Sequence, residues 1–162
     1  MRKRLVTTEA EGGKQVIEGE WLDLEAIAEV EITSEDKLFP IEMALGKEPT
    51  TGWRAAAPGE QTIRLVFDQP TTIRRIWLYF VERTAQRSQE FALFAKDLTG
   101  ESREVVRQQY TFSPTGSTEE IEDYAVELDK VVALELRIDP DRAHDPRQSK
   151  EYASLTALRL GR

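Results

Sequence analysis

The stretch Thr51-Gly-Trp-Arg-Ala-Ala-Ala-Pro-Gly-Glu-Gln-Thr-Ile-Arg-Leu-Val-Phe67 decides the fold of this chain. From Thr62 onward it alternates polar and apolar residues, which places Ile63, Leu65 and Phe67 on one face. A period of two residues is typical of a β-strand that is buried on one side. The residues before the strand form a compact loop around Trp53, where a large ring can be held beneath a turn. The stretch therefore predicts a half-buried strand that is entered through a tight loop.

Most of the later segments repeat this alternation, and turn signals separate them at intervals of roughly ten residues. Asp97-Leu-Thr-Gly100, for example, predicts a hairpin turn closed by its glycine. No segment predicts a helix of useful length. The pattern predicts an all-β protein, an antiparallel β-sandwich or jelly roll of about eight strands. The predicted strands span residues 28–33, 62–67, 72–80, 90–96, 103–112, 123–128, 131–138 and 153–160.

Two of these strands predict which side chains enter the core. In strand 131–138 alternate residues are apolar, and we expect these to face inward: Val132, Leu134, Leu136 and Ile138. Strand 72–80 is bulky on both faces, because Trp77 and Tyr79 alternate with apolar residues. Either a loop or neighbouring segment covers that second face, or its exposed rings mark a surface for a partner.

The length of 162 residues is that of one domain with a sizeable core. Residues 1–19 show no sustained period and predict a loosely held arm, followed by a single domain over residues 20–162. The absence of cysteine excludes disulfides and Cys-based zinc or iron–sulfur sites. Because His144 is the one histidine, a His-rich metal site is excluded as well.

Charge and hydropathy limit the partners of the protein. The net charge of -8, from 22 Lys and Arg against 30 Asp and Glu, argues against binding to nucleic acid, which depends on phosphate neutralisation. No apolar run approaches the roughly 18 residues that span a bilayer, so no membrane partner is predicted. Thr7, Thr8 and Glu9 stand where a signal peptide needs an apolar stretch, which predicts a cytoplasmic location.

Several runs along the chain resemble a known family. They are Ala44–Trp53 with Gly59–Leu65, then Ile73–Leu78, Val131–Pro140 and Ala153–Leu160. In this order they are similar to the T-x-W and Q-x-I-x-I/L opening, the inner strands and the S-L-R-E-L ending of discoidin, or coagulation factor type C, domains. The resemblance spans residues 28–161. Two further runs, Arg87–Phe91 and Arg107–Pro114, resemble a bacterial, carbohydrate-binding-like branch of that family.

The resemblance implies a galactose-binding-like jelly roll that binds glycans, lipid head groups or proteins through loops at one end. Many members of the family have Asp-Gly before the T-x-W motif and a glutamate in the last strand, and the loop often helps to hold calcium. This chain has Leu45 and Ala157 at those positions. Because calcium prefers carboxylate ligands, no cofactor is predicted. Calcium is the alternative, with Glu42 and Glu48 as substitute ligands.

Two arginine-bearing loops, 82–89 and 139–151, follow strands that we expect to run in the same direction, so both should emerge at one end of the sandwich. Arginine donates paired hydrogen bonds to sugars and anions. The predicted ligand-binding residues are Arg83, Gln86, Arg87, Arg142, His144 and Arg147, with Trp53 as a candidate aromatic platform. The alternatives are that these charges pair with nearby carboxylates on a solvated surface and that Trp53 is a core residue.

These observations predict a non-catalytic binding module, with carbohydrate or a glycoconjugate as the ligand. The alternative is a protein–protein interaction module that uses the sheet face around Trp77 and Tyr79. An enzyme is not predicted, because no nucleophile–base pair is recognisable and His144 lies in a polar loop. The sequence does not predict the oligomeric state.

Overall fold

The computed structural model describes residues 20–46, 51–143 and 150–162, so the predicted arm over residues 1–19 lies outside the described residues. Strands dominate the described part, and its helices are single turns. The elements in chain order are α1 (Leu24–Ile27), β1 (Ala28–Ile32), α2 (Glu42–Leu45), β2 (Trp53–Arg54), β3 (Gln61–Val81), β4 (Arg87–Lys96), β5 (Ser102–Phe112), β6 (Glu119–Asp139), β7 (Ser154–Leu155) and β8 (Ala157–Gly161). None of the described helices is long and apolar enough to cross a membrane.

The two longest strands, β3 and β6, pair with each other and carry the remaining strands at their edges. The main sheet has the order β1-β3-β6-β4-β5, and β8 pairs with the second half of β3. β2 and β7 form a separate two-stranded sheet. All of these pairs are antiparallel.

β3 and β6 bend at the same position along their pairing, and this bend produces the two layers of the sandwich. The register of β3 against β6 is irregular between Val66 and Arg75. On the β6 side of this bend, Lys130 has a φ of 54°, a left-handed conformation that breaks the pleat. Beyond the bend the second half of β3 lies over β4, since the ring of Phe80 stacks on that of Phe91 at 5.4 Å between centroids. The predicted antiparallel β-sandwich is confirmed.

The bend joins strands that the sequence predicts as separate. Predicted strands 62–67 and 72–80 are one strand, β3, and 123–128 and 131–138 are one strand, β6. The prediction that Val132 faces the core is wrong: Val131 is buried and Val132 is partly exposed. Val131 follows the left-handed Lys130 directly, so the pleat is disturbed next to the bend, and the predicted alternation resumes with the buried Leu134, Leu136 and Ile138.

The predicted hairpin between β4 and β5 is confirmed. The amide of Gly100 donates to the carbonyl of Asp97 at 3.0 Å, and Gly100 has a φ of 88°. The Asp97 carboxylate accepts hydrogen bonds from both the amide and the hydroxyl of Thr99. This turn lies at the end of the sandwich where β3 and β6 bend, opposite the end at which β3 and β6 terminate.

Trp53 is a core residue, so the candidate aromatic platform is wrong. Trp53 is 1% exposed, and its indole N–H donates to the carbonyl of Ser34 at 3.1 Å. Trp53 pairs with Leu155 in the small sheet. The backbones approach so closely here that a Cβ at Gly52 would lie 2.5 Å from the carbonyl oxygen of Leu155. The loop therefore needs a glycine before the tryptophan, and the ring has no free face for a sugar.

Trp77 is also buried, at 2% exposure, which removes the sheet face proposed for a protein partner. It pairs across the sheet with Arg159 of β8, which is buried as well. The Arg159 guanidinium donates to the carbonyl of Ala44 at 2.9 Å, so α2 is held against this face. Of the two predicted rings, Tyr79 alone is partly exposed, and its hydroxyl donates to Glu119. This face is covered by neighbouring segments rather than open to a partner.

We expect Trp53→Ala to lower the free energy of unfolding by about 3–5 kcal/mol, because it empties a buried site and orphans the Ser34 carbonyl. Urea unfolding followed by circular dichroism measures the change. Leu38→Ala, an exposed site of the neighbouring loop, is the control and should stay within about 0.5 kcal/mol. Equal unfolding midpoints for the two variants would contradict the core role of Trp53.

Candidate functional site

Two of the predicted loops meet at one end of the sandwich. The amide of Arg142 donates to the carbonyl of Ser88 at 2.6 Å, and a guanidinium nitrogen of Arg87 donates to the carbonyl of Tyr152 at 3.0 Å. The second halves of β3 and β6 both run from the bend towards this end, because Phe80 lies on Phe91 and Phe91 pairs with Ile138. We call the surface formed by residues 55–60, 82–86, 113–118, 139–143 and 150–153 the loop end.

The predicted ligand-binding residues fall into three groups at the loop end. Arg83, Gln86 and Arg142 are exposed, although Arg83 lies 3.4 Å from a carboxylate oxygen of Glu119. Arg87 is buried. His144 and Arg147 lie outside the described residues, and their part in binding stays a prediction.

Arg87 is an interior clamp, so its expected contact with a ligand at the surface is not available. Arg87 is 3% exposed, and one of its guanidinium nitrogens lies 2.9 Å from a carboxylate oxygen of Glu82. The guanidinium also lies 5.8 Å from the centre of the Phe112 ring. Burial lowers the pKa of Arg87, and the nearby Glu82 and Glu151 oppose that change. One cation thus ties the 82–86 loop to the 150–153 segment.

Glu82 is built to remain ionised beside that cation. Burial alone would raise the pKa of Glu82, but hydrogen bonds from Thr84 and Ala85 and the charge of Arg87 lower it below its usual value. The amides of Thr84 and Ala85 each donate to the same carboxylate oxygen at 3.1 Å. The 82–86 loop is therefore ordered around a carboxylate.

Sequence reasoning missed Tyr152 at the loop end. Tyr152 is 45% exposed, while its backbone carbonyl is held by Arg87. An exposed aromatic ring on an anchored backbone is a suitable stacking surface for a sugar. The signal in the sequence is weak, because Tyr152 stands alone among polar residues.

We expect Arg87→Met to destabilise the protein by about 3–5 kcal/mol, because it leaves the partly buried Glu82 without its cation. Urea unfolding measures the change, and amide hydrogen exchange should show faster exchange in residues 82–86. Arg74→Met is the matched control, since Arg74 forms an exposed pair with Asp129 at 2.8 Å and should cost at most about 1 kcal/mol. An Arg87→Met protein as stable as the control would show that the clamp is unimportant.

A second polar feature lies beside the loop end, on the outer face of the main sheet. Ala92 of β4 pairs with Arg107 of β5 on one side and with Arg137 of β6 on the other. Paired residues point to the same face, so a small residue lies between two long ones. A cleft of about 240 Å³ results, which we call the sheet cleft, and it is lined by Glu60, Glu90, Arg107, Arg137, Asp139 and Arg142.

Ion pairs run along this outer face. Glu135 accepts hydrogen bonds from both Arg64 and Arg137, and Arg64 also binds Glu31 at 2.8 Å. Burial would raise the pKa of Glu135, but its two arginines lower it below the usual value. Many charged side chains on this face are thus paired with one another. Such pairing is the alternative to ligand binding that the sequence pattern left open for the arginines of the loops.

A pair of carboxylates faces the interior of the sandwich on β6. Burial and a hydrogen bond with Glu122 raise the pKa of Glu120 to about 7. The hydroxyl of Tyr124 donates to Glu122 at 3.0 Å, and Tyr110 of β5 lies near both carboxylates. Because two like charges repel in this setting, the pair releases its last proton only close to neutral pH.

We expect this pair to make stability fall as pH rises from about 4.5 to 7, because unfolded Glu120 releases its proton in that range while folded Glu120 retains it. The glutamine in Glu120→Gln is neutral at every pH, so this variant should show a flatter dependence of stability on pH. At pH 8 it should unfold at a higher temperature than the wild type. Thermal unfolding from pH 4 to 8 measures this. The exposed Glu127→Gln on the same strand should follow the wild type, and an unaltered slope in Glu120→Gln would contradict the assignment.

Within the described ranges no group of three or more Asp, Glu or His residues is placed to hold a metal ion. Of the two substitute calcium ligands, Glu42 is exposed at the start of α2, and Glu48 lies outside the described residues. The hydrogen-bond donors in the described part of the loop end are guanidinium, amide and hydroxyl groups.

The fold is similar to those of solved carbohydrate-binding modules. A pectin-binding module is 13% identical with a TM-score of 0.59, over 84% of this chain and 91% of that one. A family 32 module of NanJ from Clostridium perfringens, in complex with galactose, is 14% identical with a TM-score of 0.57, over 86% and 96%. The family 32 module of AlyQ, in complex with 4,5-unsaturated mannuronic acid, is 16% identical with a TM-score of 0.55, over 88% and 98%.

At these identities the similarity shows the fold alone, and it confirms the β-sandwich that the sequence resemblance implies. No protein-family model matches the sequence, and no curated protein matches it either. The comparison covers at least 91% of each of these three structures, so the similarity extends over nearly all of each of them.

Proposed function

We propose that this domain is a non-catalytic carbohydrate-binding module that holds its ligand at the loop end. The support from the comparisons is that chains of the same fold are named as binding modules, for pectin, galactose and an unsaturated mannuronic acid. Fold alone does not determine function, so the proposal depends on this chain's own groups.

The observation that carries the proposal is the clamp beneath the loop end. Arg87 and Glu82 hold the 82–86 loop and the Tyr152 backbone together, while Arg83, Gln86 and the Tyr152 ring remain exposed above them. A rigid base reduces the entropy that a ligand must remove from the loops on binding. Sugars are bound by such a combination, in which planar donors bind hydroxyl groups and an aromatic ring contacts the apolar face.

A protein-interaction module is the weaker proposal for this chain. It relied on an exposed face at Trp77, and that residue is buried. The non-catalytic role is supported by the similar binding modules, and it is tested together with binding.

We expect the purified protein to give signals on a broad glycan array and Tyr152→Ala to weaken binding to the strongest glycan by about tenfold, since an aromatic stacking contact contributes about 1 kcal/mol or more. Gln86→Ala should weaken binding to the same glycan as well. Leu98→Ala, an exposed site at the opposite end, should leave the affinity unchanged.

Isothermal titration calorimetry with that glycan gives the affinities, and chromatography of the glycan after long incubation tests for turnover. An array without signals would overturn the proposal of carbohydrate binding. An intact glycan after incubation is the expected result, and shortened or modified products would overturn the non-catalytic role.

A further inference from the structure

The sheet cleft contains hydrogen-bonding groups that the protein does not use. Arg137 donates from Nε to Glu135, and its guanidinium lies 4.1 Å from the centre of the Phe94 ring. Neither terminal nitrogen of Arg137 has a hydrogen-bond partner among the described residues. Stacking and the Nε contact fix the plane of the guanidinium, so its two free N–H₂ groups are held in one orientation.

Arg142 supplies a second such group on the loop-end side of the cleft. Its backbone amide is held by Ser88, and its Nε lies 3.5 Å from a carboxylate oxygen of Glu90. Its terminal nitrogens likewise have no partner in the described part of the chain. Two guanidinium groups, on different elements, thus offer free donors to one cleft.

Two carboxylates in or beside the cleft already have arginine partners. Glu90 of the lining lies between Arg142 and Arg107, whose Nη1 donates to it at 3.1 Å, and Glu135, just outside the lining, lies between Arg64 and Arg137. Asp139 accepts the amide of Asp141 at 3.2 Å, and Glu60 lies at the exposed rim. The unused hydrogen-bonding groups are therefore the terminal N–H groups of Arg137 and Arg142, and a guanidinium pairs best with a ligand that brings a carboxylate.

The volume of about 240 Å³ limits the size of that ligand. It is below the roughly 300–1,000 Å³ of clefts that hold drug-sized molecules, so it suits one sugar ring rather than an oligomer. Neighbouring rings of a chain can continue along the open face of the sheet. Ala92 forms the floor and leaves room that any larger side chain would fill.

We propose that the sheet cleft is a separate binding site for an acidic saccharide, in which the carboxylate of one uronic acid unit is bound by Arg137 and Arg142. Arg137 binds it through the fork of its terminal nitrogens, and Arg142 adds charge from the loop-end side. This site is on the face of the sheet and does not depend on Tyr152 or Gln86. Its occupancy is therefore independent of the function proposed for the loop end.

The test compares two probes that differ in the carboxylate alone: trigalacturonate and the same trisaccharide after reduction of its carboxyl groups. Calorimetry gives affinities, and ¹⁵N–¹H spectra locate the perturbed amides. We expect trigalacturonate to bind with shifts centred on Ala92 and Arg137, and the reduced trisaccharide to bind at least about tenfold more weakly, since a charge-assisted pair is lost. Binding should weaken as salt is raised.

Variants separate the cleft from the loop end. Arg137→Gln should weaken trigalacturonate binding by about tenfold, and Arg137→Lys, which keeps the charge but not the fork, should restore only part of it. Ala92→Leu should block the cleft. Arg74→Gln is the matched control, because Arg74 has a similar exposure, 41% against 47%, and lies at the opposite end. Circular dichroism and the dispersion of the spectra verify that each variant is folded.

Each of the following results either supports or overturns the proposed site in the sheet cleft. Binding that is lost in Arg137→Gln and retained in Tyr152→Ala supports the cleft, whether or not the loop end binds a glycan. Binding that is lost in Tyr152→Ala and retained in Arg137→Gln overturns the cleft and leaves the loop-end proposal standing. Equal affinity for both trisaccharides overturns the carboxylate as the recognised group, and the absence of trigalacturonate binding overturns the site.

Discussion

The pairing of β3 with β6 is the constraint on which the rest of the structure depends. Each strand is 21 residues long, and they pair on both sides of a shared bend. β1 and β8 attach to the two halves of β3, and β4 attaches to the second half of β6. Because the pair folds over as a unit, it closes the core and brings both strands back to the loop end. A change at the bend would alter both layers and the position of the loops at once.

Arginine has different uses in this protein, and the surroundings of each side chain decide which one applies. Arg87 is buried and orders loops, whereas Arg64 is paired on the open face of the sheet. Arg137 donates a hydrogen bond from Nε and Arg142 has its Nε beside a carboxylate, and both keep their terminal nitrogens free of partners within the described residues. A guanidinium has several donors in a fixed plane, so one edge can be anchored by the protein while another faces a ligand. The potential for binding depends on these free edges rather than on the number of arginines.

The acidic surface is consistent with this arrangement. The net charge of -8 repels anions at long range, yet Glu90 and Glu135 near the sheet cleft are compensated by adjacent arginines. At ordinary ionic strength charges are screened within about 10 Å, so recognition in the cleft depends on local groups and less on net charge. A composition that argues against nucleic acid can therefore coexist with a local site for a single carboxylate.

The sequence by itself determined the fold class, most strand positions and the inward faces at Ile63, Leu65 and Phe67, because a period of two residues follows directly from the pleat. It also placed the two arginine-bearing loops at one end. Only the tertiary structure decided that the predicted strands fuse across a bend, that Trp53 and Trp77 are covered, and that Arg87 lies inside. The physical reason is that alternation reports which side of a strand is apolar, whereas burial of a ring or a cation depends on segments distant in sequence. The sheet cleft is the clearest example, since Arg107, Ala92 and Arg137 come from three strands and share a row only through their register.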